Sequence, residues 1–436
     1  MREMKDSNVN WLNTIPCDWA LSRIKYVLNE RIEKNDPIKT KDILSLTAKQ
    51  GVVPLSEKEG GGNKPKEDFT AYKLAYPNDI VINSMNILSG SVGLSKYFGC
   101  VSPVYYMLRP FNDNFDVRYF NYIFQTKVFQ LSLFGLGNGI LIKESGNGKF
   151  NTIRMRIPME KFGNLLIPVP NEKEQIKISN YLDTQCSEID ATAEDIQKEI
   201  SLLEDYKKSV ITEAVTKGLN PDAEMKDSGV KWLPKIPKHW KVIPSKYLFA
   251  NSDIRHQTGD EQLTASQKYG IITQKDYTAK ENAQIVLATQ GLEKWKHVEP
   301  NDFIISLRSF QGGLEMSKIT GCITWHYVVL KAQKKVYHKY YKWLFKSARY
   351  INALQGTCNF IRDGQDLRFS NFALVPLFEL PLEEQQQIAD YLDTKCSEID
   401  TLIADKKRQL DILTDYKKSL IYEYITGKKE VPVKDF

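Results

Sequence analysis

Asn83, Asn86, Arg308 and Gln311 carry the side chains of this sequence best suited to reading a planar, hydrogen-bonding partner. An amide or a guanidinium presents two polar atoms side by side. Such groups make paired hydrogen bonds to base edges, Arg to guanine and Asn or Gln to adenine. They fall in two short segments, Asn83-Ser-Met-Asn-Ile-Leu-Ser-Gly90 and Ser306-Leu-Arg-Ser-Phe-Gln-Gly-Gly313. The same residue types build turns, so chemistry alone leaves both readings open. Cations that would suit phosphates lie in further segments. Lys143 and Lys149 belong to the Gly-rich stretch 135–149, and Arg362, Gln365 and Arg368 occupy the comparable place in the second half. Lys335 sits in a run from Lys331 to Tyr350 that also holds Lys331, Lys334, Lys339, Lys342, Lys346 and Arg349, with no acidic residue.

Motifs that would make the chain an enzyme are missing from the sequence. Gly135-Leu-Gly-Asn-Gly139 departs from the dinucleotide fingerprint because Ile140 stands where that spacing requires glycine. Gly148-Lys149 lacks the glycine before it and the Ser or Thr after it that a phosphate loop needs. There is no Asn/Asp-Pro-Pro-aromatic motif of amino-methyltransferases, no His-Glu-x-x-His and no Gly-x-Ser-x-Gly. The cysteines at 17, 100, 186, 322, 358 and 396 include no Cys-x-x-Cys pair, and the five histidines are as scattered. That spacing predicts reduced, mostly buried thiols and offers a metal site nothing to build on.

Composition places the chain among ordinary globular proteins: 436 residues, 42% hydrophobic and 26% charged, long enough for at least two cores. A formal net charge of +6 is compatible with a polyanionic partner. No apolar run reaches the ~18–20 residues that span a bilayer. The polar stretch from Met1 to Asn10 has no secretory character, so a cytoplasmic protein without a membrane partner is expected.

The elements that must position these side chains repeat. Residues 181–190 read YLDTQCSEID and 391–400 read YLDTKCSEID, an offset of 210, and DYKKSVI at 205–211 returns as DYKKSLI at 415–421. An opening block, KDSNVNWLNTIPCDW at 5–19, returns as KDSGVKWLPKIPKHW at 226–240, and Lys25-Tyr26 returns as Lys246-Tyr247. Between these blocks the halves diverge. Retained frames around diverged middles suggest one scaffold carrying two different readers.

Each middle holds matched strand candidates, Asp79–Ile82 with Asp302–Ile305 and Gly99–Ser102 with Gly321–Thr324. A helix follows in each, with core-type aromatics at Tyr119, Phe120, Tyr122 and Phe124 and at Tyr340, Tyr341, Trp343 and Phe345. The segments that hold Asn83 and Arg308 read as loops between the matched strands. Each later block predicts a long helix. Asn171 caps the first, with Glu174 three residues on, and Gly218 closes it. Pro381 fits the first position of the second, which Gly427 ends. Leu182, Ile189, Ile196, Leu203 and Val210 form one row of a seven-residue repeat, beside Cys186, Ala193 and Ile200. Leu392, Ile399, Leu413 and Leu420 repeat that row, interrupted by Lys406, beside Cys396, Ile403 and Leu410. Such a stripe needs a partner of its own kind, so the two helices are expected to pack together.

These blocks resemble the conserved regions of type I restriction-modification specificity subunits. The matching residues are Glu174-Gln175, Tyr181-Leu182-Asp183, Ile189-Asp190 and Tyr206–Ile211, with their copies at 384–421, while KDSGVKWLPKIPKHW is similar to the segment opening a target-recognition domain. The resemblance implies an α+β fold: two β-rich target-recognition domains in tandem, each followed by a long helix, the helices pairing as an antiparallel coiled coil. Residues 1–168 and 219–379 would be the recognition domains, 169–218 and 380–430 the helical spacers. It implies a non-catalytic subunit on double-stranded DNA, joined by two modification subunits and by restriction subunits. S-adenosylmethionine, ATP and magnesium would belong to those partners, and this chain would hold no cofactor. DNA-contact residues vary within the family, so the candidates above rest on position and chemistry. The rival reading is a coiled-coil scaffold that binds proteins rather than DNA.

Overall fold

The computed structural model describes residues 2–47, 50–58, 65, 67–137, 143–144, 150–151, 156–282, 288, 290–307, 309–357 and 367–432. The chain divides into two compact units, residues 1–196 with 408–436, and residues 197–407.

In the first unit a hairpin of Met4–Asp6 and Thr14–Pro16 opens the chain. Ala20–Arg23 then pairs with Leu166–Val169, so the beginning and end of the diverged region run side by side. Between them lies an antiparallel sheet in the order Leu28–Arg31, Tyr105–Pro110, Ile80–Asn83, Val92–Leu94. Successive strand residues face opposite ways, and the run Ile80-Val81-Ile82 is buried throughout. Ile80 and Ile82, with Tyr106 and Leu108, join the main core, where the helix Val117–Gln125 packs Tyr119, Phe120, Ile123 and Phe124. Val81 and Met107 face a second layer of Leu44, Leu46 and Val52.

The second unit repeats this plan. Met225–Asp227 pairs with Lys235–Pro237, and Lys241–Ile243 with Leu377–Glu379. Its sheet runs Phe249–Ser252, Val328–Ala332, Phe303–Ile305, Glu315–Met316. Phe303 and Ile305 enter the core with Tyr340, Tyr341 and Phe345 of the helix His338–Lys346, while Ile304 and Val329 face Leu263 and Ile271.

Two predicted loops are partly ordered turns of helix. Asn83 closes its strand, and a 3-10 turn spans Ile87–Ser89 before Gly90, which adopts φ of 84°. Ser309–Gly312 forms a helical turn in the second unit.

The long helices span Glu172–Lys217 and Leu382–Ile425. Asn171 Oδ1 accepts the Glu174 N–H at 3.0 Å, the cap expected from its spacing. Pro381 stands one position earlier than predicted: its carbonyl accepts the Gln385 N–H at 3.0 Å, which makes it the cap. A residue without an N–H is harmless at either position. Gly218 and Gly427 end the helices at φ of 76° and 68°.

The helices pair antiparallel. Within the first unit, the Tyr181 and Tyr424 rings lie 4.6 Å apart and Lys417 bridges Asp190 at 2.6 Å. Within the second, Lys406 meets Glu199 at 2.5 Å and Lys207 meets Asp400 at 2.6 Å. Residue numbers on one helix fall as those on the other rise. Lys406, which interrupts the apolar row, therefore keeps its charge at the edge of the seam with a carboxylate beside it. Leu182, Ile189, Ile196, Leu392 and Ile399 are buried, while the matched pair Leu203 and Leu413 is half-buried. Leu392 has no exposed surface, so Leu392→Ala is expected to lower stability by about 2–5 kcal/mol. Leu402 is 52% exposed on the same helix, and chemical denaturation of Leu402→Ala should show a change within about 0.5 kcal/mol. Equal losses from both would show that the stripe is not what holds the helix.

Candidate nucleic-acid interface

A repeated set of polar contacts docks the β-rich part of each unit on the long helices. Trp19 donates its indole N–H to Glu174 at 3.0 Å, and Trp240 donates to Glu384 at 3.0 Å. Gln175 accepts from the Asp116 N–H at 3.0 Å, and Gln385 accepts from the Tyr337 N–H at 2.8 Å. Tyr122 donates to Asp183 at 2.6 Å, and Trp343 donates to Asp393 at 2.9 Å. Tyr119 donates to the carbonyl of Ile425 at 2.9 Å, and Tyr340 to that of Val215 at 3.0 Å. Burial pushes both phenols far above their usual range, so they remain protonated donors. The β-rich part of each unit thus grips the start of the helix that follows it and the end of the other one.

On this frame Asn83 and Asn86 come together at the wall of a cavity of about 470 Å³, with Ser102, Pro103, Tyr105 and Lys58. The two differ in freedom. Asn83 is buried, and its Oδ1 accepts the Met85 N–H at 3.0 Å, so it serves the turn. Asn86 is exposed at the head of the 3-10 turn and makes no side-chain cap bond there. Gln311 is exposed on its helical turn. Lys143 opens the short strand Lys143–Glu144, paired with Phe150–Asn151. Lys149, Arg308, Arg362 and Gln365 lie outside the described residues. Arg368 is exposed, and its backbone N–H is held by Asn371 Oδ1 at 3.0 Å.

The lysine run is not the open cationic strip its sequence suggests. Lys331 contacts Glu299 at 2.6 Å and Asp302 at 2.9 Å. Burial works against the Lys331 charge, but these carboxylates outweigh it and its pKa stands above the usual value. Lys334 pairs with Glu379, Lys339 and Lys342 with Asp393, and Lys346 with Glu315. Lys335 and Arg349 are exposed and make no ion pair among the described residues. The neutralising carboxylates come from elements remote in sequence, which a one-dimensional charge run conceals.

Two features escaped the sequence reading. Trp325 is 51% exposed beside the strand Gly321–Ile323 and stacks on His326 at 3.5 Å, a planar surface on the second unit. Tyr26 and Tyr247, equivalent in the two repeats, are 61% and 55% exposed, each beneath its neighbouring lysine. The repeated Lys-Tyr pair was legible as a pair, but its exposure was not.

A chain of a type I restriction-modification system, solved for its complex assembly and conformational transition, superposes with a TM-score of 0.66. The match covers 95% of this chain and 99% of that one at 12% identity. The HsdS subunit from Thermoanaerobacter tengcongensis superposes at 0.51, covering 95% and 98% at 13% identity. In sequence, the putative type I restriction enzyme MjaX specificity subunit of Methanocaldococcus jannaschii is 23% identical over 279 residues. The chain is thus similar in sequence to a type I specificity subunit and shares the fold of the HsdS subunit. That sequence match covers 62% of this chain and 60% of the curated relative, less than two thirds of its length. No family model matches the chain. Among the described residues, no helix is long and apolar enough to cross a membrane.

Proposed function

We propose that this chain is the non-catalytic reader of a type I restriction-modification complex, recognising a DNA target in two halves. The observation that carries the reading is the duplicated frame. The contacts Trp19–Glu174 and Trp240–Glu384 recur in equal geometry, while the regions between diverge in sequence and surface. A frame kept twice around two different surfaces suits two different recognition tasks on one kind of partner. In this reading 1–168 and 219–379 are the recognition domains, and 169–218 and 380–430 the spacers. The helix pair docks two modification subunits, through which restriction subunits join. The partners hold S-adenosylmethionine, ATP and magnesium, and the complex works in the cytoplasm.

Methylation mapping of host DNA with and without this gene tests the proposal. A split motif that vanishes with the gene is expected, and an unchanged methylation pattern in a host with active modification subunits would overturn it. The purified chain with S-adenosylmethionine should transfer no methyl group. Salt-dependent binding of duplex DNA separates the reading from a scaffold that binds proteins alone. Within the first half-target, Asn86→Ala is expected to relax one base pair by about 1–3 kcal/mol of discrimination. A uniform loss over all sequences would instead assign Asn86 to the backbone.

A further inference from the structure

We infer that His256, Asp260 and Cys322 form a binding site for one divalent transition-metal ion of the zinc class. Their ligand atoms, an imidazole nitrogen, a carboxylate oxygen and Sγ, all lie within 4.8 Å of one another. The three come from two elements of the second unit. His256 and Asp260 stand on the turn before the strand Leu263–Ser266, and Cys322 is fully buried in the strand Gly321–Ile323. The turn is held from several sides. His256 N–H donates to the Trp295 carbonyl at 2.9 Å, Gln257 N–H to Asp260 Oδ2 at 2.8 Å, and Gly259 takes φ of 95°.

A fourth residue buttresses the set. His297 Nδ1 lies 2.9 and 3.0 Å from the two Asp260 oxygens, and both side chains are about 95% withdrawn from solvent, at 5% and 4% exposed. A ligating carboxylate fixed by an imidazole behind it is the outer-shell arrangement that orients metal ligands.

The duplication supplies the control. In the first unit Cys100 occupies the place of Cys322: its strand pairs with Lys73–Ala75 as that of Cys322 pairs with Lys296–Val298. Cys100 N–H donates to the Asp42 carbonyl and Cys322 N–H to that of Glu261, both at 2.8 Å. The register sets Leu74 opposite Cys100 and His297 opposite Cys322. Lys41 precedes Asp42 where Asp260 precedes Glu261. The bridges Lys34–Lys73 and Arg255–Lys296 make Asn35 the counterpart of His256. So one cysteine sits in an apolar cluster with Tyr72 and Leu74, and the other is ringed by three potential ligands and buttresses. The second unit thus keeps a buried imidazole paired with a carboxylate where the first unit has Leu74 and Lys41.

The first unit also shows what the site would replace. Asn35 is fully buried and clasps its own turn, donating to the carbonyls of Thr40 at 2.8 Å and Phe69 at 3.1 Å. His256 stands in that position in the second unit, and a metal shared with Asp260 and Cys322 would clasp the turn instead. Nitrogen, oxygen and sulfur together suit zinc, and three protein ligands leave one tetrahedral position for water. On binding, the Cys322 thiol gives its proton to solvent and His256 ligates as the neutral ring.

The purified full chain, loaded with zinc and dialysed against metal-free buffer, is expected to keep about one zinc per chain. His256→Ala and Cys322→Ala should lose it, and Cys100→Ala should keep it. His297→Leu, which installs the residue of the first unit, should weaken zinc binding by about 10–100-fold. Loaded with cobalt, the chain should show the near-ultraviolet thiolate-to-metal band, lost in Cys322→Ala and retained in Cys100→Ala. A chain that retains no zinc, or a His256→Ala variant that retains as much as the parent, overturns the assignment. So does equal loss from Cys100→Ala.

Discussion

Exchanging residues 20–168 for the matching segment of a relative is expected to change one half of the DNA target entirely and leave the other half as it was. The cut points lie where the architecture closes on itself. Ala20–Arg23 and Leu166–Val169 are paired strands, with Pro168 opposite Leu21 and Ile167 opposite Ser22, so the segment leaves and re-enters the frame at one place. Trp19 and Glu174 stay behind with their hydrogen bond. The incoming segment must supply the groups that grip the helices, and the second repeat shows the latitude allowed. Trp343 replaces Tyr122 on the matched aspartate without loss of the contact. Methylation mapping of the chimaera with its modification partners reads the result. A target altered in both halves would show that the readers are not independent.

The second expected result concerns length. Each long helix begins in one compact unit and ends in the other. Four residues added to both helices, near Ser201 and near Lys406, should lengthen the pair by about 6 Å at 1.5 Å per residue. At about 3.4 Å per base pair that is close to two base pairs of unread spacer. Four residues overshoot one turn by about 40°, whereas two base pairs twist DNA by roughly 70° at about 10.5 per turn. A spacer longer by one or two base pairs is expected, with both half-sites unchanged. Both helices must grow together, because Lys207–Asp400 and Lys406–Glu199 fix an antiparallel register that a single insertion would slip. An active double insertion that methylates the old spacing refutes the ruler.

Much of this architecture was legible in the sequence because it is local and periodic. Asp79–Ile82 reads as a strand, the Tyr119 and Tyr340 helices show their aromatic core, and Asn171 shows its cap. The seven-residue stripe required a partner, and the repeat provided one. The opening hairpin was not legible: Met4–Asp6 carries no apolar alternation, and its pairing with Thr14–Pro16 supplies the strand. Site chemistry was less readable because it depends on long-range neighbours. Nothing near Lys331 in sequence announces Glu299 and Asp302, whereas the local turn that engages Asn83 with Met85 was one of the two readings its residue type allowed. Scattered histidines and cysteines argued against a metal, yet the sheet brings Cys322 to the turn of His256 and Asp260.

The first unit is discontinuous, residues 1–196 completed by 408–436, whereas the second is one unbroken stretch. A ribosome therefore makes most of the first unit before the second and its remaining piece only after it. Trp19 and Tyr119 wait for Gly427 and Ile425, which pack against them, until the whole second unit has emerged. The second unit, though translated later, can close first. A message cut short before residue 408 leaves the first unit without Leu420, Tyr424 and Ile425 of its core, an uncovered apolar face of the kind that draws chaperones and invites aggregation.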